Sequence, residues 1–350
     1  MQPETDAPLA SLTTLRLGGP ARRLHTATTT DAVPAIVRAA DEQGIALLVL
    51  GGGSNLVVGD DGFPGDVLRI ATTGLHLAGT DLSVEAGVPW DDVVTAAVAA
   101  GLSGIECLAG IPGSAGATPV QNVGAYGQEV AETITAVEVY DRTERALRTL
   151  TAAECRFTYR HSVFKGDDRF VVLRVRFRLR DDAGRSAPIR YAELARTLGV
   201  EPGEQVPVEA ARTAVLSLRR GKGMVLDPAD HDTWSAGSFF TNPILTHDAF
   251  AELTARTSRH LGPDVTPPRY PSGADHVKTS AAWLIERAGF TKGYGQGRAR
   301  ISTKHTLALT NRGEASTEDL LTLAREVRDG VHEVFGVTLI NEPVLINAEL

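Results

Sequence analysis

Residues 45–58 read IALLVLGGGSNLVV. The continuous apolar run Ile45–Leu50 is short and marks a buried strand. Upstream, Asp31 opens a segment with Val33, Ile36, Val37 and Ala40 at helical spacing, and a helix followed by a strand predicts α/β layering. Gly51, Gly52, Gly53, Ser54 and Asn55 follow the strand at once. Glycine permits positive φ and close approach of the backbone. Successive bare N–H groups at a strand end then form a concave site suited to a pyrophosphate; the same residues would also serve as a tight turn with no ligand. No GxGxxG opens a helix and no GK[ST] follows the glycines, so neither the Rossmann fingerprint nor the P-loop is present.

Working outward, Asp66–Ile70 and Leu82–Val88 read as strands, and Trp90–Ala100 as a helix ended by Gly101. Residues 108–127, LAGIPGSAGATPVQNVGAYG, are too rich in glycine and proline for a regular element. The segment is uncharged and partly apolar, so it is expected to be an ordered loop packed against something. Gly110, Gly113 and Gly116 alternate with small residues, and Thr118, Gln121 and Asn122 add polar groups. Two such loops in one chain point to a bound dinucleotide. In Phe170–Arg180, Leu173, Val175, Phe177 and Leu179 alternate with Arg174, Arg176, Arg178 and Arg180. That pattern predicts a half-exposed strand whose arginine row faces solvent or binds phosphate. Helices are expected at Val208–Arg220, Phe250–Leu261 and Thr279–Gly289, with a polar domain junction at Asp227–Ala236. Ser316 and Asp319 fit a capping box ahead of a stripe at Leu320, Leu323, Val327, Val331 and Val334. The stretch VTLINEPVLI, 337–346, is expected to be a closing strand.

A chain of 350 residues predicts two or three domains. A net charge of −8 argues against a general nucleic-acid binder. Cys107 and Cys155 occur without a CxxC or Cys/His cluster, so no metal site is expected, and two thiols fit a reducing compartment. The N-terminus lacks the basic start and apolar run of a signal peptide. No stretch of 18 apolar residues occurs, so no membrane insertion is expected and the cytoplasm is the default location. Only Lys165, Lys222, Lys278, Lys292 and Lys304 stand among 35 basic residues; each is a candidate for a task arginine does poorly.

Several blocks together resemble the UDP-N-acetylenolpyruvoylglucosamine reductase family, flavoenzymes of bacterial peptidoglycan precursor synthesis. They are TTLRLGG (Thr13–Gly19), LGGGSNLVV (Leu50–Val58), GIPGSAGATPVQNVGAYGQE (Gly110–Glu129), CRFTYRHSVFK (Cys155–Lys165), AGSFFTNP (Ala236–Pro243), STKHTLALTN (Ser302–Asn311) and NEPV (Asn341–Val344). They run in order over nearly the whole chain. The resemblance implies a mixed α/β and α+β fold: a split FAD-binding domain of the vanillyl-alcohol-oxidase type with a C-terminal α+β substrate-binding domain. The expected parts are 1–75 with 343–350, then 76–222, then 223–342. It further implies that Gly51, Gly52, Gly53, Ser54, Asn55, Gly113, Ser114, Thr118, Asn122 and Gly124 lie against noncovalently bound FAD. The hydride donor would be NADPH, the substrate a UDP-sugar, and the protein a monomer serving cell-wall synthesis, cell shape and division.

Reducing an enol ether conjugated to a carboxylate requires a hydride at the terminal alkene carbon, stabilisation of charge beside the carboxylate, and a proton at that carbon. A guanidinium is always charged and its fork matches a carboxylate. By itself Arg160 would be a surface ion-pair former; its match to the family's Tyr-Arg pair implies that it stabilises the enolate. Ser238 would otherwise cap a turn in AGSFF; the resemblance makes it the proton donor, adequate because an enolate is a strong base. Glu342 stands in apolar surroundings where an unpaired carboxylate is costly, or else faces water beside Pro343; the family's glutamate works with the arginine. Tyr126, Tyr159, Tyr191, Lys222, Asn242 and His305 match or lie near positions that contact the nucleotide sugar. Lys222, in a flexible GKG, suits a diphosphate. Val344 and Thr158 depart from residues common in the family. The alternative is an FAD-dependent sugar or alcohol oxidase of the same superfamily. Many such enzymes bind flavin covalently through His or Cys, and neither glycine loop contains one.

Overall fold

A computed structural model describes residues 2–350. These form two compact units. Residues 2–7, Ala21–Gly53 and Phe63–Val225 make the first; Pro8–Pro20, Ser54–Gly62 and Leu226–Leu350 make the second.

The chain opens with β1 (Glu4–Pro8), β2 (Pro20–Ala27), α1 (Ala32–Glu42), β3 (Leu47–Leu50), β4 (Leu56–Val58) and β5 (Phe63–Ile70). The first unit has a four-stranded sheet of order β1-β2-β5-β3, with β2 and β3 parallel to β5. Helix α1 buries Val33, Val37 and Ala40. Its Pro34 falls in the first turn, where the missing N–H has no intrahelical partner to lose. Because β3 ends at Leu50, the glycines leave at the carboxyl end of a parallel sheet, a usual place for ligand loops in α/β folds.

Next come β6 (Leu75–Ala78), β7 (Asp81–Glu85), α2 (Trp90–Ala99), the two-residue strands β8 (Gly124–Ala125) and β9 (Gln128–Glu129), β10 (Ile134–Asp141), β11 (Ala146–Thr151) and β12 (Phe170–Arg178). Helices α3 (Ala192–Leu198) and α4 (Val208–Gly221) complete the unit. Strands β11-β10-β12-β7-β6 form an antiparallel sheet. Its inner face sends Leu173, Val175 and Phe177 into the core with Trp90, Val93, Tyr140 and Ile105. Each such side chain contributes about 1.5–3 kcal/mol by leaving water. The Trp90 indole N–H donates to the carbonyl of Leu108 at 3.1 Å, which anchors the start of the long glycine loop. On the outer face the arginine row is paired with carboxylates: Arg174 with Glu85 and Glu138, Arg176 with Glu138, and Arg178 with Asp81.

The second unit contains β13 (Ile244–Thr246), α5 (His247–Leu261), β14 (Tyr270–Pro271), β15 (His276–Lys278), α6 (Ala281–Arg287), β16 (Ala299–Ile301), β17 (Leu309–Asn311), α7 (Thr317–Phe335) and β18 (Val344–Ile346). The Ser316 hydroxyl accepts from the Asp319 N–H at 3.0 Å and the Asp319 carboxylate accepts from the Ser316 N–H at 2.9 Å, the reciprocal cap that starts α7. The α7 stripe packs with Phe239, Phe240, Leu284 and Ile301 in a separate core. The expected strand over 337–346 is cut short: only Val344–Ile346 is a strand, paired in parallel with β4. Proline cannot donate to a ladder, and Asn341 instead bridges back to Phe240. Residues 227–236, expected to be irregular, hold one 3-10 turn at His231–Thr233, and Asp232 is buried there, accepting from the Thr303 N–H at 3.0 Å and from Arg312 at 2.7 Å. No helix among the described residues is long and apolar enough to cross a membrane.

Candidate active site

The two glycine loops meet in the first unit. A Cβ at Gly51 would stand 2.5 Å from Ser114 Oγ, and one at Gly52 would stand 2.6 Å from Gly113 Cα. Gly53 and Gly113 hold φ of +58° and +125°, conformations that side chains disfavour. Among the described residues, the N–H groups of Gly52, Gly53 and Ser114 enter no backbone hydrogen bond. Bare amides on two closely packed loops fit the neutral pyrophosphate cradle that a dinucleotide such as FAD needs. Thr118 is buried and donates to the Ala115 carbonyl at 2.7 Å, which tightens the second loop. Ser54 and Asn55 belong to the second unit, where Asn55 Nδ2 donates to the Glu342 carbonyl at 3.4 Å.

Arg160 sits at the tip of a hairpin closed by Thr158 and His161, whose N–H and carbonyl groups exchange bonds of 3.0 and 3.2 Å. Its φ is +53°, and a left-handed conformation costs a non-glycine residue about 1–2 kcal/mol. The surroundings over-determine it. Nη2 donates to the Gly124 carbonyl at 2.8 Å and Nη1 to the Asn122 carbonyl at 3.3 Å. Lys165 Nζ donates to the Arg160 carbonyl at 3.2 Å. Ser162 Oγ donates to the Val120 carbonyl at 2.6 Å and ties the hairpin to the glycine loop. Backbone strain held in place this way is a mark of functional positions. Gly124 therefore orients the guanidinium through its carbonyl.

Ser238 and Glu342 lie in the second unit. The Glu342 N–H donates to the Phe239 carbonyl at 2.8 Å, so the segment carrying the serine runs beside the segment carrying the carboxylate. Phe239 and Phe240, both 1% exposed, anchor the first segment. Gly237 has φ +76°, and the turn around it is capped by Ser235 Oγ, which accepts from the Gly237 N–H at 3.2 Å. Capping, the alternative task for Ser238, is thus done here by Ser235. Glu342 is half-buried and precedes the strand β18 rather than lying within it.

Among the expected sugar-nucleotide contacts, Tyr126, Tyr191 and Lys222 cluster in the first unit. Tyr126 meets Tyr191 edge-on at 5.4 Å between ring centres, and Lys222 Nζ lies 5.7 Å from the Tyr126 ring. Lys222 is paired with Glu193 at 2.5 Å. Burial raises the Tyr126 phenol above its ordinary value. Arg219, which the sequence reading passed over, donates to the carbonyls of Gly110 and Met224 at 3.4 and 2.8 Å, and desolvation pushes its guanidinium down to about 10. Tyr159 occupies the hairpin beside Arg160, 39% exposed. In the second unit Asn242 Oδ1 accepts from the Ala281 N–H at 3.0 Å and fixes the start of α6; the His305 N–H donates to Ser302 Oγ at 3.2 Å. Lys165, one of the five lysines named as candidates, donates here to the Arg160 carbonyl, and Ser162 and Glu129, which carry no signal in the sequence, complete the support.

A cavity of about 620 Å³ in the first unit is lined by Thr29, Asp31, Glu85, Glu138, Arg148 and Arg174, among others. None of these belongs to either glycine loop, and Glu85, Glu138, Arg148 and Arg174 are already ion-paired.

Residues 21–150 match the FAD binding domain family. The loops, this match and the separate second unit define a flavin-dependent oxidoreductase with FAD as cofactor. Residues 227–346 match the C-terminal domain of UDP-N-acetylenolpyruvoylglucosamine reductase. The chain is 66% identical over 346 residues to the protein of that name from Streptomyces avermitilis, covering 99% of this chain and 95% of the relative. It is 53% identical over 355 residues to that from Mycobacterium tuberculosis, covering 98% and 95%. It superposes on the crystal structure of the Thermus caldophilus enzyme with a TM-score of 0.66 at 28% identity, covering 97% of each chain. The chain belongs to the UDP-N-acetylenolpyruvoylglucosamine reductase family, the UDP-N-acetylmuramate dehydrogenases of peptidoglycan precursor synthesis. The oxidase alternative is disfavoured.

Proposed function

We propose that Arg160, Ser238 and Glu342 carry the reduction of the enolpyruvyl group of UDP-N-acetylglucosamine enolpyruvate to the lactyl ether. The Gly51–Asn55 and Gly113–Gly124 segments would hold FAD, which, when bound and reduced by NADPH, would supply hydride chemistry at the terminal alkene carbon. Arg160 pairs with the substrate carboxylate and stabilises the charge that grows onto it, the largest kind of catalytic term when the donor is preorganised. Glu342, protonated or through a water, shares that charge. The Ser238 hydroxyl then gives its proton to the carbon bearing the carboxylate and recovers one from solvent. The observation that carries this reading is the bond from the Glu342 N–H to the Phe239 carbonyl, which supports placing an acid and a carboxyl on paired segments. Lys222 with Tyr126, Tyr159, Tyr191, Asn242 and His305 would bind the nucleotide sugar. The setting is the cytoplasm, and the activity serves cell shape and division.

The test is an absorption spectrum of the purified protein. NADPH alone should bleach the flavin band near-completely, and adding the enolpyruvyl sugar nucleotide should restore it with formation of the lactyl product. A flavin that stays bleached after that addition refutes the proposal.

A further inference from the structure

We infer that Asn122 is a positioning residue for the Arg160 guanidinium and that its amide side chain serves the protein rather than the flavin. The inference rests on the reading of Arg160 as the group that meets the substrate carboxylate. Asn122 is 1% exposed. Its Nδ2 donates to Glu129 Oε2 at 2.8 Å and to the Thr158 carbonyl at 3.1 Å, and its Oδ1 accepts from the Ala131 N–H at 3.2 Å. Both amide hydrogens and the amide oxygen are thereby engaged inside the protein.

These bonds place Asn122 at two ends of one lever. Its side chain grips Thr158, the first residue of the hairpin, while its own carbonyl accepts from Arg160 Nη1 at the tip. Asn122 has φ +47° and Arg160 φ +53°. Asparagine adopts that region at lower cost than arginine, so the more tolerant residue braces the more strained one. Glu129 stands behind Asn122 and pairs directly with Gly124 in the short β8–β9 hairpin, and the Gly124 carbonyl holds the other guanidinium nitrogen. Loss of the amide donors would take from the Glu129 carboxylate its Asn122 donor, leave the Thr158 carbonyl with the His161 N–H alone, and cut the tie between the glycine loop and the hairpin base.

The experiment compares Asn122→Asp in two backgrounds, the unaltered holoenzyme and Arg160→Met. The substitution removes both donors and sets a second carboxylate against Glu129. In the unaltered background, turnover of the enolpyruvyl sugar nucleotide should fall about 100-fold, the scale of a misplaced catalytic group. Bound FAD per chain and the rate of flavin reduction by NADPH should stay within about twofold, because uniform damage to the fold would move all three. In the Arg160→Met background the same change should cost less than about twofold, since the two residues then share one effect. The same fold-loss in both backgrounds, or loss of FAD from the Asn122→Asp protein, overturns the inference. If Arg160→Met alone turns over normally, the reading of Arg160 fails instead, a separable outcome. Should Asn122→Asp not fold, Asn122→Ser, which retains one donor, must show the same dependence on background with a smaller loss.

Discussion

The backbone N–H of Glu342 donates to the carbonyl of Phe239 at 2.8 Å, although the two residues are about a hundred positions apart. A single bond of this kind contributes about 1 kcal/mol net. Its larger effect is geometric. It aligns a carboxyl that follows α7 with a serine that precedes β13, and the buried Phe239–Phe240 pair makes the alignment rigid.

Ser238→Ala should therefore separate the two half-reactions. The change removes one hydroxyl from a segment whose turn is capped by Ser235, so folding should be nearly unaffected. Stopped-flow reduction of the flavin by NADPH should keep its rate. Reoxidation by the enolpyruvyl sugar should slow by about 10²–10⁴-fold, the usual worth of a positioned acid. Equal slowing of both phases would remove Ser238 from the proton path.

Gly52→Ala tests the loop-on-loop contact. The new methyl would lie 2.6 Å from Gly113 Cα, a backbone atom that cannot swing aside. Overpacking of this kind costs about 1–3 kcal/mol. The variant should melt earlier and, more tellingly, copurify with less FAD, read from the flavin-to-protein absorbance ratio. Full flavin content would show that the loops can part without consequence.

Lys222→Met should raise KM for the sugar nucleotide about 10–100-fold while kcat changes little, the signature of lost uniform binding. The present partner of Lys222 is Glu193 at 2.5 Å, so a diphosphate must compete with a carboxylate for it. Steady-state kinetics at saturating NADPH give the split directly.

Acid stability should depend on Asp141. Its side chain is fully buried and takes hydrogen bonds from Arg169 at 2.7 Å, Arg148 at 3.2 Å and the N–H groups of Thr143 and Glu144. The Arg169 hydrogen bond first, with the backbone and Arg148 bonds behind it, holds this carboxyl well below the usual carboxylate range. A depressed pKa stabilises the fold fully above the unfolded value, about 3.9, and that stability is lost as pH falls through the folded value. Asp141→Asn should cost about 1–2 kcal/mol at neutral pH, the scale of charge-assisted hydrogen bonds whose arginine partners stay partly in water. The difference from the parent should shrink below pH 4 in denaturant melts.

Both thiols should be silent in the folded protein. Cys107 and Cys155 are 2% and 0% exposed; burial raises both thiols, Cys155 to about 11. Reactivity follows the exposed thiolate, so a thiol reagent at neutral pH should label neither within minutes and two per chain after denaturation. Rapid labelling of native protein would contradict this packing.

The sequence by itself determined whatever depends on local period and local chemistry. The α1 stripe, the alternation of β12, the Ser316–Asp319 cap and the glycine runs were legible because helix and strand periods and glycine's freedom are properties of neighbouring residues. Tertiary structure decided what depends on residues far apart in the chain. It broke the 337–346 stretch at Pro343 by giving Asn341 a bridge to Phe240, and it moved the cap of the Ser238 turn to Ser235. It turned the β12 arginine row into a set of ion pairs, with carboxylates from β7 and β10. It also set Arg160 in a left-handed conformation that the local preference of arginine disfavours. Carbonyls 36–38 positions away supply the hydrogen bonds that offset this strain.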